Sequence, residues 1–408
     1  MLCFLCGLFV LYTIDRAMLG LLAVPIQQET GLSDVKFGVL SAAIFWTYAV
    51  CVPFSGLAGD RFDRAKLIGI ASIAWSAMTF LAGFANGFWS LFLLVSVAIA
   101  APQTLYGPSA NALLAEQHKD TRTIALSCHQ AAYYVGWFVS GASVAAVTAL
   151  CGSWRGSFFA FGSLGLLVGT MFLLWSRKTA RAADETSLRP RASRPQNFSA
   201  SLRAFFGCRT AVLAAVCYVA EVFVGYGYSA WGPKFVAQKF SITAAQAGTG
   251  VMFWHYVSAF AAILVAGFAT DRFVRRMPRF RLALSAGALV VSMPTLALFG
   301  MSSSLWVVWG AAAMLGAMIG VVGANQFAAV FDVVPSQYRA GSVGFLNVIA
   351  GLVGSTAPIA LGALSEKMGV RGFEIGFASM AGVQLVAAAA LVLAMAFTFR
   401  RDYAAIEQ

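Results

Sequence analysis

Asp15 and Arg16 sit side by side near the middle of an apolar run over 2–27. A charge at membrane depth costs roughly 2.5–3.5 kcal/mol on insertion scales, so such residues face protein or a water-filled path and find partners. The arginine fork matches a carboxylate or phosphate, which makes Arg16 a candidate anion ligand. Asp15 is a candidate to tune Arg16 or to carry a proton. A structural ion pair with a neighbouring helix is the plainer alternative. Adjacent helical residues point about 100° apart, so the two reach a cavity from different walls.

Glu221 is the second intramembrane carboxyl. Tyr218, Glu221, Gly225 and Tyr228 recur at spacings of three and four, forming one helix face. Burial favours the neutral carboxyl, so Glu221 is a candidate proton carrier; a neutral Glu bonded to a neighbouring helix is the alternative. Tyr228 joins the candidate substrate contacts. Another polar and aromatic stripe contains His129, Gln130, Tyr133, Tyr134 and Trp137. Rings with polar tips suit a substrate cavity as well as helix packing, and Tyr134 is taken as the candidate contact. His129 titrates in the right range, though a single intramembrane His is more often a packing residue. Trp254, His255, Tyr256, Asn325 and Gln326 are weaker candidates.

These residues need membrane helices to hold them. The chain of 408 residues is 60% hydrophobic and 11% charged, and its mean hydropathy is +0.78. That is too little charge for a soluble domain of this length. A membrane span takes about 20 mostly apolar residues. Twelve candidates occur, at 2–27, 36–58, 68–86, 90–115, 123–149, 156–175, 210–237, 245–269, 282–300, 305–331, 341–364 and 373–399. Hydrocarbon forces backbone groups to bond internally, so these are predicted to be helices. The short alternating segments of a β-barrel are not found.

The net charge is +12. With the N-terminus in the cytoplasm and twelve crossings, 21 of the 28 Lys and Arg fall on the cytoplasmic side. That is the positive-inside pattern. The charge is therefore expected to reflect topology and anionic lipid, with no nucleic-acid partner. Seven Cys show neither disulfide nor metal-ligand spacing. The chain opens directly on its apolar run, which predicts a short leader or a late start site. No signal-peptide cleavage pattern follows that run.

A motif occurs twice. Gly56-Leu57-Ala58-Gly59-Asp60-Arg61-Phe62-Asp63-Arg64 returns as Gly267-Phe268-Ala269-Thr270-Asp271-Arg272-Phe273-Val274-Arg275, 211 residues later. A charged turn repeated at half-length between apolar runs points to two similar halves and to a transporter. The organisation read from this is a six-helix bundle over 1–175, a basic linker over 176–209, a second bundle over 210–400 and a tail over 401–408. A surface helix is expected near Phe198–Phe206. No phosphate-binding G-x-x-x-x-G-K-[ST] loop is found, so energy must come from an ion or substrate gradient. Nothing resembles a nucleophile–base pair, a metal cluster or a cofactor loop, and no enzyme activity is expected.

These features resemble the major facilitator superfamily over essentially the whole chain. The resemblance implies an all-α integral membrane protein whose twelve helices form two pseudo-symmetric six-helix bundles. It also implies a gating role for the doubled loops, through Gly56, Asp60, Arg61 and Arg64, and Gly267, Asp271, Arg272 and Arg275. Asp63 stands where the family usually has Gly. Within the superfamily, Tyr12-Thr13-Ile14-Asp15-Arg16 resembles the first-helix motif of the anion:cation symporters, which handle sugar acids and other organic anions. Ser41 to Ala49, Ser153-Trp154-Arg155-Gly156-Ser157-Phe158-Phe159 and the Asn347, Gly351, Gly354, Ala357, Pro358 series resemble further motifs of that group. Spinster-like lysolipid transporters share the first-helix Asp-Arg. The resemblance adds Tyr12, Gln103 and Asn347 to the candidate substrate contacts. Gln103 takes the place of a fourth-helix Glu usual in both groups, and an amide cannot exchange a proton near neutral pH.

The expected function is secondary transport of a small organic anion, a carboxylate or sugar acid, by alternating access. Proton coupling would run through Asp15 or Glu221. The alternatives are spinster-like export of a lysolipid or amphipathic molecule, an uncoupled uniporter or exchanger, and a transporter-like sensor. The expected setting is the cytoplasmic (inner) membrane, with both termini cytoplasmic and the protein a monomer. No cofactor or metal is expected.

Overall fold

The computed structural model describes residues 1–118, 120–183 and 198–407. Those residues are overwhelmingly helical, with no strand among them. Among the described residues, twelve helices are long and apolar enough to span a membrane. In the first half they are α1 (Leu2–Leu21), α2 (Asp34–Val52), α3 (Arg64–Ala82), α4 (Phe88–Gln117), α5 (Ile124–Cys151) and α6 (Trp154–Ser176). In the second half they are α7 (Arg209–Phe240), α8 (Ala244–Phe273), α9 (Phe280–Met301), α10 (Leu305–Phe331), α11 (Gly341–Met368) and α12 (Val370–Ile406). A further helix, Phe198–Gly207, precedes α7. Of the linker expected over 176–209, residues 184–197 lie outside the described residues.

Polar residues set the helix ends. The Ser33 hydroxyl accepts from Lys36 N at 3.4 Å before α2, and the Asp63 carboxylate accepts from Lys66 N at 2.7 Å before α3. Both satisfy an amide that the helix itself leaves unbonded. Gly31 and Gly152 end helices with φ of +66° and +67°, a backbone region where glycine has no steric penalty.

The chain divides into two compact units, Met1–Arg194 with Thr243–Thr249, and Pro195–Ile242 with Gly250–Gln408. In the first, α3 packs along α6 and α1 along α5. In the second, α9 packs along α12 and α7 along α11. The same pairings recur six helices later, which is the pseudo-symmetry of a duplicated bundle. Small residues allow the close approaches. A Cβ on Gly162 of α6 would stand 2.5 Å from the Phe80 amide nitrogen of α3. On α10, Gly316 and Gly320 lie directly against the carbonyl oxygens of His255 and Ala259 of α8. Membrane helices associate through such packing because lipid supplies no hydrophobic drive between them.

Each unit also carries an ion-pair clasp beside the C-terminal end of its third helix. In the first, Arg155 donates to Glu29 at 2.7 Å, to the carbonyls of Gly83 and Ala85 at 3.0 and 2.5 Å, and to Asn86 at 3.0 Å. Trp154 Nε1 adds a bond to the other Glu29 oxygen. Hydrogen bonds from Arg155 and Trp154 hold the Glu29 carboxyl below its ordinary value of 4.5. In the second unit, Lys239 pairs with Glu374 at 2.7 Å and donates to the Gly300 carbonyl at 2.6 Å. The polarity is exchanged between halves: the cation comes from α6 in one and from α7 in the other. What stays fixed is a cation on the unbonded carbonyls at the end of α3 or α9, where helix geometry and dipole favour it.

The C-terminal stretch remains helical to Glu407. Buried Asp402 ties it down, accepting from the Thr210 amide at 2.8 Å and from the Cys208 thiol at 3.4 Å. Burial pushes that thiol up to about 12. All described cysteines are free thiols.

Candidate functional site

In the first unit the candidate site is built around half-buried Arg16 of α1. Its guanidinium carbon lies 5.0 Å from the ring centre of Tyr12, one turn back, and 5.5 and 4.6 Å from those of Phe45 and Tyr48 on α2. Arg16 Nε donates to Gln103 Oε1 at 3.4 Å. The Tyr12 and Tyr48 side chains also interact. Gln103 is 1% exposed, and its Nε2 is buried with no hydrogen-bond partner among the described residues. With the amide oxygen facing Arg16, the unused function is a donor. Arg16 and Gln103 together therefore present N–H groups to one neighbourhood, a set suited to an anion.

α4 is irregular where it places Gln103. A π-helical stretch, Phe92–Ile99, precedes the turn Ala100–Gln103. Such a stretch re-aims the side chains that follow and is frequent at functional sites.

Asp15 points elsewhere, as the helical angle requires. It is 8% exposed and interacts with the Thr79 hydroxyl of α3, and no ion pair of Asp15 occurs among the described residues. Behind Tyr12 an aromatic cluster closes the bundle. Tyr106 lies 6.0 Å from Tyr12 and 5.7 Å from Trp75, centre to centre. Tyr106 donates its one hydroxyl hydrogen to the Leu5 carbonyl at 2.6 Å, so His129 Nε2, 2.9 Å away, must be the donor in their bond. His129 is thus a satisfied packing residue. Tyr133 stands 5.3 Å from Phe9 in the same cluster, whereas Tyr134 packs edge-on against Tyr133 at 5.5 Å.

In the second unit, Tyr218 of α7 donates to Asn347 Oδ1 of α11 at 2.6 Å. Glu221 follows one turn on. Its Oε1 approaches Gly323 of α10, and its Oε2 is buried with no hydrogen-bond partner among the described residues. Tyr228 is placed apart from this group. It is fully buried, stacked on His255 at 4.4 Å, and its hydroxyl donates to the Val251 carbonyl at 3.1 Å. Phe299, 5.1 Å away centre to centre, covers it further.

Around the doubled loop, Arg64 at the start of α3 pairs with Glu116 at the end of α4. In the second unit, Arg281 at the start of α9 pairs with Asp332 after α10 at 3.1 Å. Burial raises the Asp332 carboxyl, and Arg281 offsets part of that. Asp271 is mostly exposed and reaches Arg281 only at 3.9 Å. Arg61, Arg272 and Arg275 are exposed and make no ion pair among the described residues. Gly267 has open space where a Cβ would stand. The surroundings of Gly56 and the side chain of Asp60 are not among those described. Sequence reasoning missed Glu116, Arg281 and Asp332. The signal was available: Arg281, like Arg64, is the basic residue that opens the helix after the loop.

Among the described residues no group of three His, Cys, Asp or Glu is placed to hold a metal. The profile described as Major Facilitator Superfamily matches residues 5–358. The hexuronate transporter of Bacillus subtilis (strain 168) is 21% identical over 396 residues, covering 95% of this chain and 92% of that protein. The sphingosine-1-phosphate transporter SPNS2 of Mus musculus is 28% identical over 235 residues, covering 56% of this chain and only 42% of that protein. A solved bacterial homologue of the human lysosomal transporter Spinster, in an inward-facing and occupied conformation, superposes with a TM-score of 0.84 at 20% identity. That superposition covers 98% of this chain and 97% of the other.

Proposed function

Since the chain belongs to the major facilitator superfamily, and so to a class of membrane carriers, we propose that it moves a small organic anion, a carboxylate or sugar acid, by alternating access. The observation that carries this reading is the donor set of Arg16 and Gln103. Arg16 lies among three aromatic rings, and the Gln103 amide nitrogen has no partner among the described residues. A buried donor without an acceptor is unfavourable, and an incoming carboxylate removes that penalty. Three rings within 5.5 Å of the guanidinium carbon attract the cation and restrict it before a ligand arrives. The hexuronate transporter, matched across nearly the full length of both chains, supports the same substrate class.

Coupling to protons is part of this reading. Gln103 cannot supply it, which leaves Glu221 and Asp15. Glu221 is the better candidate, because one of its oxygens is buried with no hydrogen-bond partner among the described residues and no ion pair of Glu221 occurs among them. A charge buried there without a partner is costly, so a proton or an incoming ligand would relieve it. Opening the site to one side and then the other would load and unload its proton. Tyr218 fixes the Asn347 amide through its oxygen, leaving the amide N–H groups to contact a ligand. We propose an inner-membrane setting and a monomer, with both termini cytoplasmic, the orientation that the distribution of Lys and Arg favours.

A second reading, transport of a lysolipid-like amphiphile, is favoured by the likeness to the sphingosine-1-phosphate transporter and to the Spinster homologue. Arg16 would then take a phosphate. Purified wild type and Arg16→Ala, reconstituted in liposomes and offered radiolabelled sugar acids, separate the possibilities. Uptake by wild type and none by the folded Arg16→Ala variant is expected. Arg16→Lys, which keeps the charge but not the fork, should lose about tenfold or more in affinity. Normal uptake by Arg16→Ala would remove Arg16 from the site.

A further inference from the structure

The second unit contains a groove of about 510 Å³ between α7, α11, α12 and the helix Phe198–Gly207. Every side chain lining it is apolar. Along α7 the lining runs through Val212, Val216, Val219 and Phe223, one helix face. That stripe rises about 16 Å at the helical pitch, close to the depth of one leaflet of a hydrocarbon core about 30 Å thick. Phe345 and Ile349 of α11 form the facing wall. Phe205, Phe206 and Phe345 close the end nearest the start of α7, with ring centres 5.2–5.6 Å apart.

Two arginines lie one helical turn from residues that line this groove. Arg209 lies three residues before Val212, so it continues the same stripe of α7, and Arg203 lies three before Phe206 on the short helix. Both are exposed, and neither has an ion-pair partner among the described residues. A leaflet-deep apolar slot with two exposed arginines a turn beyond it matches one kind of molecule in a membrane. We infer that this groove holds an anionic phospholipid of the cytoplasmic leaflet, with an acyl chain along α7 and its phosphate on Arg203 and Arg209. The lipid is a bound component and not cargo: the groove belongs to one unit and contains no residue of the candidate transport site. Its occupant would brace the short helix that follows the linker. The inference stands whichever solute is carried.

Native mass spectrometry tests it on the full-length protein. The protein is extracted from a membrane of phosphatidylglycerol and phosphatidylethanolamine, and lipid per protein is counted as detergent stripping proceeds. One phosphatidylglycerol is expected to persist on wild type after other lipid has gone. Val216→Trp, which fills the slot, should lose it. Phe206→Ala removes a ring that is 57% exposed, so it serves as the second variant if Val216→Trp does not fold; it too should retain less. Arg203→Gln and Arg209→Gln should each reduce the preference for phosphatidylglycerol over phosphatidylethanolamine about fivefold. Three results overturn the inference: no lipid outlasting the bulk on wild type, equal retention of the two lipids, or full retention by folded Val216→Trp.

Discussion

Arg155 should matter more for the carbonyls it holds than for the charge it pairs with. Its Nη1 donates to the Gly83 and Ala85 carbonyls at 3.0 and 2.5 Å, while Glu29 takes Nε and Nη2. The Glu29 side chain is 48% exposed and that of Arg155 22%, so the Coulomb part is largely screened. A hydrogen bond from a charged donor contributes about 1.5–3 kcal/mol when its partner would otherwise lie unsatisfied. Two such bonds, discounted for partial exposure, put Arg155→Ala at about 3 kcal/mol of lost stability. Glu29→Gln keeps the carbonyl contacts and should cost much less. The decisive variant exchanges the pair, Glu29→Arg with Arg155→Glu. Opposite charges still face each other, but the residue beside the two carbonyls is now an acceptor. Thermal unfolding in detergent, followed by tryptophan fluorescence, should rank the exchanged variant with Arg155→Ala. Recovery of wild-type stability by the exchange would refute the reasoning, because simple pairing would then suffice.

The remaining predictions concern other parts of the molecule. Glu221→Gln should abolish stimulation of uptake by an inward proton gradient while leaving substrate binding in place; stimulation that persists in liposomes would return Glu221 to a structural role. Gly316→Leu should force α8 from α10 and cost about 1–3 kcal/mol or more, read as folded yield and melting temperature. Gly287→Ala, where a Cβ meets nothing within 4 Å, is the neutral control. Glu29 has a folded value below its ordinary 4.5. Its stabilising contribution is therefore complete above that ordinary value and is lost as pH falls through the lowered one. An acid melting series should show this limb, and Glu29→Gln should flatten it.

The spans were legible because each is a long apolar run, and the duplication because a charged loop recurs. The helix ends were less so. Arg64 and Lys66 fall outside the apolar window expected from 68, yet α3 begins at Arg64, where the Asp63 cap sets the boundary. The last helix continues through Ile406 because Asp402 docks it on the start of α7, a contact between residues 192 apart. Arg16 was visible as a charge in hydrocarbon. Its rings on α2 were not, since nothing in a sequence says which side of a neighbouring helix faces it. The same limit hid the clasps: Glu29 and Arg155 lie 126 residues apart, and the second clasp exchanges the signs, so a search for repeated charges does not find it. Tyr228 shared a helical face with Glu221 by spacing. Packing separates them, because His255 and Phe299 cover Tyr228.

Uptake by purified wild-type protein in proteoliposomes, over a panel of sugar acids and mono- and dicarboxylates with and without an inward proton gradient, tests the central claim most directly. Saturable uptake of one sugar acid or carboxylate, accelerated by the gradient, is the predicted result. No uptake of any of these anions, together with transport of a lysolipid by the same preparation, would contradict it.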